Sequence, residues 1–460
     1  MNGAAAAVAP YPQASRAGAH RPRSPYAGYW TASWIASVLA LAFIMIRASE
    51  FLGPLQRLKP VLTLSLLLLF MHLSKSGRAA WQSVWSNVTL RLAVAYSVCI
   101  GLSVPFSIWR GQSVETMMTV PWALILVALL GLTTPRLTDF DRVIRLAAWI
   151  AALFGIALAL QGDVVEGSRM TSRGSYDPND LGALFATMFL FAVGASTRGT
   201  TVARLVSALS AVVLLTVMMK TGSRGALIGL AVGLLVFTLA YRPRKFMMIL
   251  VAIVIIGPLS WPLVPPVTRE RAASLFALED DYNTTSNSGR VYLWKRGVVF
   301  ALKNPVVGIG AGTFEVQVGE DFREQGTRGA WHTAHNTYVQ VFAELGMVGG
   351  MLLLALLWRG ARNAATLWHW KKKVHRPELL AALAAYGTAI VFLSHGYSYI
   401  LWGMIGIAAM TEQLLRASAS RAPSASGTAR AQLAFRNVQP RSGFSAAGAS
   451  RSVLPQYRER

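Results

Sequence analysis

Windows of about 20 mostly apolar residues, each long enough to cross a bilayer as a helix, recur along this chain. They centre on Val38, Leu67, Ser97, Ile125, Leu153, Thr187, Val212, Gly233, Ile253, Gly349, Thr388 and Gly406. The expected fold is therefore all-α, a polytopic membrane protein of about twelve transmembrane helices. Composition agrees: 54% of residues are hydrophobic and 14% charged, where a soluble domain carries about 25% charged residues. Cys99 is the only cysteine, which excludes a disulfide framework. Pro60 and the charges around Arg57 crowd the second window, so one of the first two spans is a candidate re-entrant segment.

The chain holds 44 Lys+Arg against 20 Asp+Glu, a net charge of +24. In a soluble protein that excess would suggest nucleic acid, but in an apolar chain it reports topology, because Lys and Arg collect in cytoplasmic loops. With the N-terminus inside, the inner loops hold roughly twice as many basic residues as the short outer ones, which puts both termini in the cytoplasm. The expected domains are a disordered N-terminal tail over 1–28, a transmembrane domain over 29–415 and a disordered basic tail over 416–460. No cleavage signal follows the first apolar run, so that run reads as an uncleaved anchor. The basic tail is suited to touching anionic lipid. Residues 264–335 form one long, mostly polar loop on the outer face, where function is expected to sit.

Polar groups gather on that face. Arg169 and Arg173 precede Asp177-Pro178-Asn179-Asp180 at the start of the sixth span, and Thr221-Gly222-Ser223-Arg224-Gly225 makes a tight hairpin between two others. In the long loop, Arg290 leads into Val291, Trp294, Val298 and Leu302, spaced for an amphipathic helix lying on the membrane. Asn304-Pro305 stops it, and Gly308, Gly310 and Gly312 follow as a flexible turn. The triplet is not a nucleotide loop, since no strand precedes it. His332-Thr333-Ala334-His335-Asn336 stands at the mouth of the tenth span.

Each group has a bland reading. Single arginines near helix ends snorkel to headgroups, and a lone histidine there is often structural. Several arginines on one face, however, suit phosphate or pyrophosphate, because guanidinium forks donate in pairs and keep their charge. Asp139-Phe140-Asp141 and Glu279-Asp280-Asp281 read as solvated loop charges, and no His/Cys cluster has metal spacing. Neither a cofactor nor a metal is expected.

Taken in order around the single long loop, these segments resemble the O-antigen ligase and polysaccharide polymerase family of bacterial inner membranes. The pieces that carry the resemblance are Asp177-Pro178-Asn179-Asp180, Thr221 to Gly225, Asn304-Pro305-Val306-Val307-Gly308-Ile309-Gly310, His335-Asn336-Thr337-Tyr338-Val339-Gln340 and Glu344-Leu345-Gly346. They span roughly residues 170–350. The resemblance implies a GT-C-like, metal-independent membrane glycosyltransferase. Its donor would be a glycan on undecaprenyl pyrophosphate at the periplasmic face, and its acceptor a sugar, either lipid A core (ligase) or another lipid-linked repeat unit (polymerase). Membrane lipid is the remaining partner, and nucleic acid is none.

By motif, Arg224 and Arg290 would bind pyrophosphate and His335 would stand beside the reacting hydroxyl, with its ordinary pKa of about 6.5 suiting it as a base. Arg169, Arg173, Asp177, Asn179 and Asn336 are further substrate-binding candidates. A flippase for the same lipid-linked unit is the alternative of another class. Against it, the span centres are nearly free of charge apart from Glu344, whereas transporters place ionisable groups and broken helices near mid-membrane.

Overall fold

The computed structural model describes residues 85–133, 136–165, 169–172, 176–241, 266–273, 289–326, 331–369, 371 and 374–420, with Val38, Leu41, Ala42, Met45, Leu66 and Phe70. The window at Ile253, most of those at Val38 and Leu67, and residues 1–28 and 421–460 lie outside them. So do Arg173, the Glu279-Asp280-Asp281 stretch and much of the long loop.

In chain order the helices are α1 Val88–Ser103, α2 Arg110–Thr133, α3 Leu137–Gln161, α4 Pro178–Ser196, α5 Thr201–Lys220, α6 Arg224–Leu239, α7 Pro266–Ala273, α8 Arg290–Lys303, α9 Phe314–Glu324, α10 Thr337–Ala365, α11 Pro377–Ala389 and α12 Tyr399–Ser420. A two-stranded antiparallel ribbon, β1 Val164–Val165 and β2 Arg169–Met170, pairs Val164 with Met170. Single 3-10 turns extend α1 to Phe106 and α11 to Phe392. This is an all-α, multi-pass membrane architecture. Among the described residues, α1 to α5 and α10 are the six helices long and apolar enough to cross a membrane, while α6 and α11 are shorter apolar helices. Val38, Leu41, Ala42 and Met45 are helical and buried in the same core, at helical spacing. The chain divides after Leu415, and the second unit, Arg416–Arg460, is described only to Ser420, where it is still helical.

Helix packing relies on small side chains. In lipid no hydrophobic force drives helices together, so close backbone approach supplies the contact. On α6, a Cβ at Gly229 would fall 2.6 Å from the Ala385 carbonyl oxygen of α11, so that crossing admits only glycine. On α4, a Cβ at Gly182 would meet Ala226 and Ser223 at 2.8 Å, which binds α4 to the turn before α6.

Ion pairs tie the opposite end of the bundle. Arg376 pairs with Asp141 at 2.6 Å, Arg198 with Glu378, and Arg359 with Glu412 at 2.9 Å. Asp139 is buried and bonds Arg142 at 3.2 Å. The Asp139/Asp141 pair is therefore not solvated. The nearby arginines do engage it, and Arg376 arrives from a distant part of the chain.

The segment after α8 is not a flexible turn. Helix α10 breaks at Gly346 (φ 65°), and residues 305–314 dock onto the segment around that break. Ile309 and Gly310 donate to the carbonyls of Ala343 and Glu344, each at 3.0 Å, while Met347 donates to Pro305 at 2.7 Å. The Glu344 carboxylate accepts from Gly312 N at 3.0 Å and Phe314 N at 2.9 Å. Two motif pieces, Asn304–Gly310 and Glu344–Gly346, are thus each other's packing partners. Gly308 (φ 70°) lies so close to the Glu344 backbone that any Cβ would overlap it. Gly308→Ala is expected to cost about 1–3 kcal/mol from backbone strain and overpacking, lowering the thermal unfolding midpoint in detergent. An unchanged midpoint would mean that the turn does not brace α10.

Helices α8, α9 and the start of α10 close a second, smaller core of Leu293, Phe300, Ile309, Phe314, Val318, Phe322 and Ala343. Leu293, Gly297 and Phe300 form the buried stripe of α8, whereas Val298 and Leu302 on its other apolar face are exposed. The expected amphipathic helix is present, but protein covers the 293/297/300 face. Only the 298/302 face stays exposed.

Candidate active site

Several separate stretches of chain converge on one cavity of about 700 Å³. Arg169 and Thr171 reach it from the ribbon, and Asp177, Pro178 and Asn179 from the start of α4. Gly222 to Gly225 come from the α5–α6 turn, Arg271 from α7 and Arg290 from α8. His335, Phe392 and Leu393 complete the lining. Arg169, Arg224, Arg271 and Arg290 make it strongly cationic, with Asp177 its acidic wall residue.

Local structure explains why these side chains meet. Asp177 caps α4 through a capping box: its Oδ1 accepts from Asn179 N at 2.7 Å and Asp180 N at 2.8 Å. The cap satisfies amides that a helix start leaves open, and Pro178 costs nothing there because it has no N–H to lose. Ser223 caps α6, accepting from Ala226 N at 3.3 Å, so Arg224 stands in the first turn of that helix. Arg290 likewise opens α8 after Gly289. A helix N-terminus carries partial positive charge, so both arginines reinforce a field already suited to an anion.

Arg169 is buried and braces the site. Its Nε donates to Thr221 O at 3.0 Å and its Nη2 to Asn179 Oδ1 at 2.8 Å, joining β2, the α5–α6 turn and α4. Thr268 donates to Met219 O, fixing α7 against the end of α5 and carrying Arg271 to the cavity.

His335 is the one non-glycine residue with positive φ among the described residues, at 44°. Such a conformation is uncommon outside glycine and persists only where the surroundings impose it. Here its N–H donates to Ser394 Oγ at 2.9 Å, and Trp294 Nε1 donates to Ala334 O at 3.1 Å just before it. Just after it, Asn336 caps α10 and Thr337 Oγ1 donates to Leu393 O at 2.7 Å. Burial, and then the nearby Arg290 and His332 charges, push the His335 imidazole down to about 4. That corrects the expectation of an ordinary imidazole, because burial first, and then the site's own arginine, oppose its protonation.

Six of the eight candidate residues therefore meet at the cavity: Arg169, Asp177, Asn179, Arg224, Arg290 and His335. Asn336 does not line it. Its side-chain oxygen accepts from Tyr338 N at 3.0 Å and Val339 N at 3.1 Å. Arg173 lies outside the described residues. Sequence reasoning passed over Arg271, whose signal was a basic run (Arg269, Arg271) inside the long loop. It also passed over Ser394 and His395, a polar interruption at the end of the Thr388 window.

A multi-pass helical membrane protein with an arginine-lined cavity and a strained histidine at its wall is the class these features define. Comparison with known proteins narrows it. Residues 209–354 match the family model described as O-antigen ligase. A segment of 187 residues is 29% identical to the exopolysaccharide production protein ExoQ of Rhizobium meliloti (strain 1021). It covers 38% of this chain and 41% of that protein, so the chain spans about two fifths of that relative's length. The chain thus resembles the O-antigen ligase and polysaccharide polymerase family over the segment that carries Arg224, Arg271, Arg290 and His335.

Proposed function

We propose that this protein transfers a glycan from undecaprenyl pyrophosphate to the hydroxyl of an acceptor sugar, at the periplasmic face of the bacterial inner membrane. The observation that carries this reading is the convergence of four arginines and His335 on one cavity. The pyrophosphate of the donor lies among Arg224, Arg271 and Arg290. As the acceptor oxygen bonds to the anomeric carbon, the bond from that carbon to the pyrophosphate oxygen breaks, inverting the centre. Negative charge grows on the departing oxygen, and fixed guanidinium groups in a partly dry site stabilise it without reorganising. No metal is needed for that charge in this scheme. His335 takes the hydroxyl proton.

The low imidazole pKa fits this role once the donor is counted. Burial, and after it Arg290, disfavours imidazolium, keeping His335 neutral and able to accept a proton. A bound pyrophosphate offsets Arg290 and raises the pKa toward its ordinary value, so the base strengthens when substrate is present. The exposed 298/302 face of α8 is placed to meet the polyprenyl chain.

Ligase action on lipid A core is the first reading, in keeping with the matched family's description. The similarity to an exopolysaccharide production protein favours a second, polymerisation of exopolysaccharide repeat units. Flippase action stays the alternative of another class, since α10 breaks at Gly346 beside Glu344 as transporter helices do; against it, the Glu344 carboxylate is engaged by the amides of Gly312 and Phe314. Deleting the protein and separating lipid-linked from surface glycan tests the proposal. Long chains stranded on undecaprenyl pyrophosphate mean ligase, and single repeat units mean polymerase. An unchanged profile in cells making the glycan would overturn both.

A further inference from the structure

A second cavity, of about 350 Å³, opens beside the first and differs from it in charge. Its lining includes Gln112, Glu115 and Thr119 of α2, Asp180 of α4, and His395 and Tyr399, with no arginine or lysine. A pyrophosphate would be repelled there. Carboxylates, an amide, hydroxyls and phenols are instead the donors and acceptors that sugar hydroxyls require, and the volume lies within the ~300–1,000 Å³ range of small-ligand sites.

The partition between the cavities is thin and built from neighbours in sequence. Leu393 lines the arginine cavity and Ser394 the second, while Asp177 lines the first and Asp180 the second. Asp180 Oδ1 bonds His395 Nε2 at 2.8 Å, and Tyr386 Oη meets His395 Nδ1 at 3.0 Å, which holds the wall together. Ser394 Oγ accepts the His335 N–H, so His335 is anchored on that wall. A sugar bonded to a pyrophosphate in the first cavity, or attacking it, has this second cavity within reach of the transfer point.

We propose that the second cavity is a subsite for neutral sugar rings of the glycan, separate from the pyrophosphate site. This rests on the transferase reading above. The sugars can belong to the donor or to the acceptor, and binding measurements on the full chain in nanodiscs separate these sources. Three probes are needed: undecaprenyl pyrophosphate without sugar, lipid-linked glycan extracted from cells lacking the protein, and released lipid-free repeat-unit and core oligosaccharides.

Glu115→Ala and Gln112→Ala change side chains on the first turns of α2, outside the buried core. Each is expected to weaken glycan binding about tenfold, the size of one lost hydrogen bond to a charged or amide group, while sugar-free undecaprenyl pyrophosphate binds as before. Weaker binding of the lipid-linked glycan assigns the subsite to donor sugars, and weaker binding of the released oligosaccharides alone assigns it to the acceptor. Unchanged binding of both glycans, or an equal loss for the sugar-free lipid, would overturn the subsite. Failure of the wild-type protein to bind sugar-free undecaprenyl pyrophosphate would instead overturn the transferase reading.

Discussion

Alanine at His335 is expected to lower glycan transfer by about 10²–10⁴-fold, the usual contribution of a positioned general base, while the protein still inserts and binds donor. The pH profile adds a readout that a purely structural role would not move. Because kcat/KM reports groups of the free enzyme, its acid limb should fall near the His335 value of about 4. An ordinary histidine would place that limb near 6.5. The limb in kcat should lie higher, since bound pyrophosphate offsets Arg290. Arg290→Ala removes one cause of the depression and should move the kcat/KM limb upward. Normal transfer by a stably expressed His335→Ala protein would remove the base role, and coincident limbs in kcat and kcat/KM would remove the coupling to the donor.

Arg224→Lys separates charge from geometry. Lysine keeps the positive charge but loses the planar fork that holds two phosphate oxygens at once. A loss of about 10²–10³-fold in kcat is expected for removing one preorganised donor at a developing charge, and Arg224→Ala should lose at least as much. The first-turn position matters, because the Ser223 cap keeps α6 intact in either variant, so lost activity is not lost folding. Full activity in Arg224→Lys would mean that the cavity attracts its anion by charge alone.

Much of this was legible in the sequence, for physical reasons that differ by element. The windows behind α1 to α5 and α10 stand out because an apolar run of bilayer length has few alternatives to a helix in lipid. Asp177-Pro178-Asn179-Asp180 marks the start of α4 because capping is local chemistry, complete within four residues. Arg224 and Arg290 could be singled out from turns and helix starts for the same reason. The buried stripe of α8 was not legible, since two apolar faces satisfy the same periodicity and only a neighbour decides which is covered. Asp141 was misjudged because its partner, Arg376, lies far along the chain.

Local pattern by itself determined the helices, their caps and the places of Arg224 and Arg290 at helix starts, because those features depend on residues a few positions apart. Tertiary structure alone decided that Arg271 joins the site, that Glu344 braces a glycine turn, that His335 is strained, and that a second cavity, lined without arginine or lysine, lies behind its wall. Those outcomes depend on distances between segments tens to hundreds of residues apart. Burial and charge act through space, and neither is written in the spacing of residues along the chain.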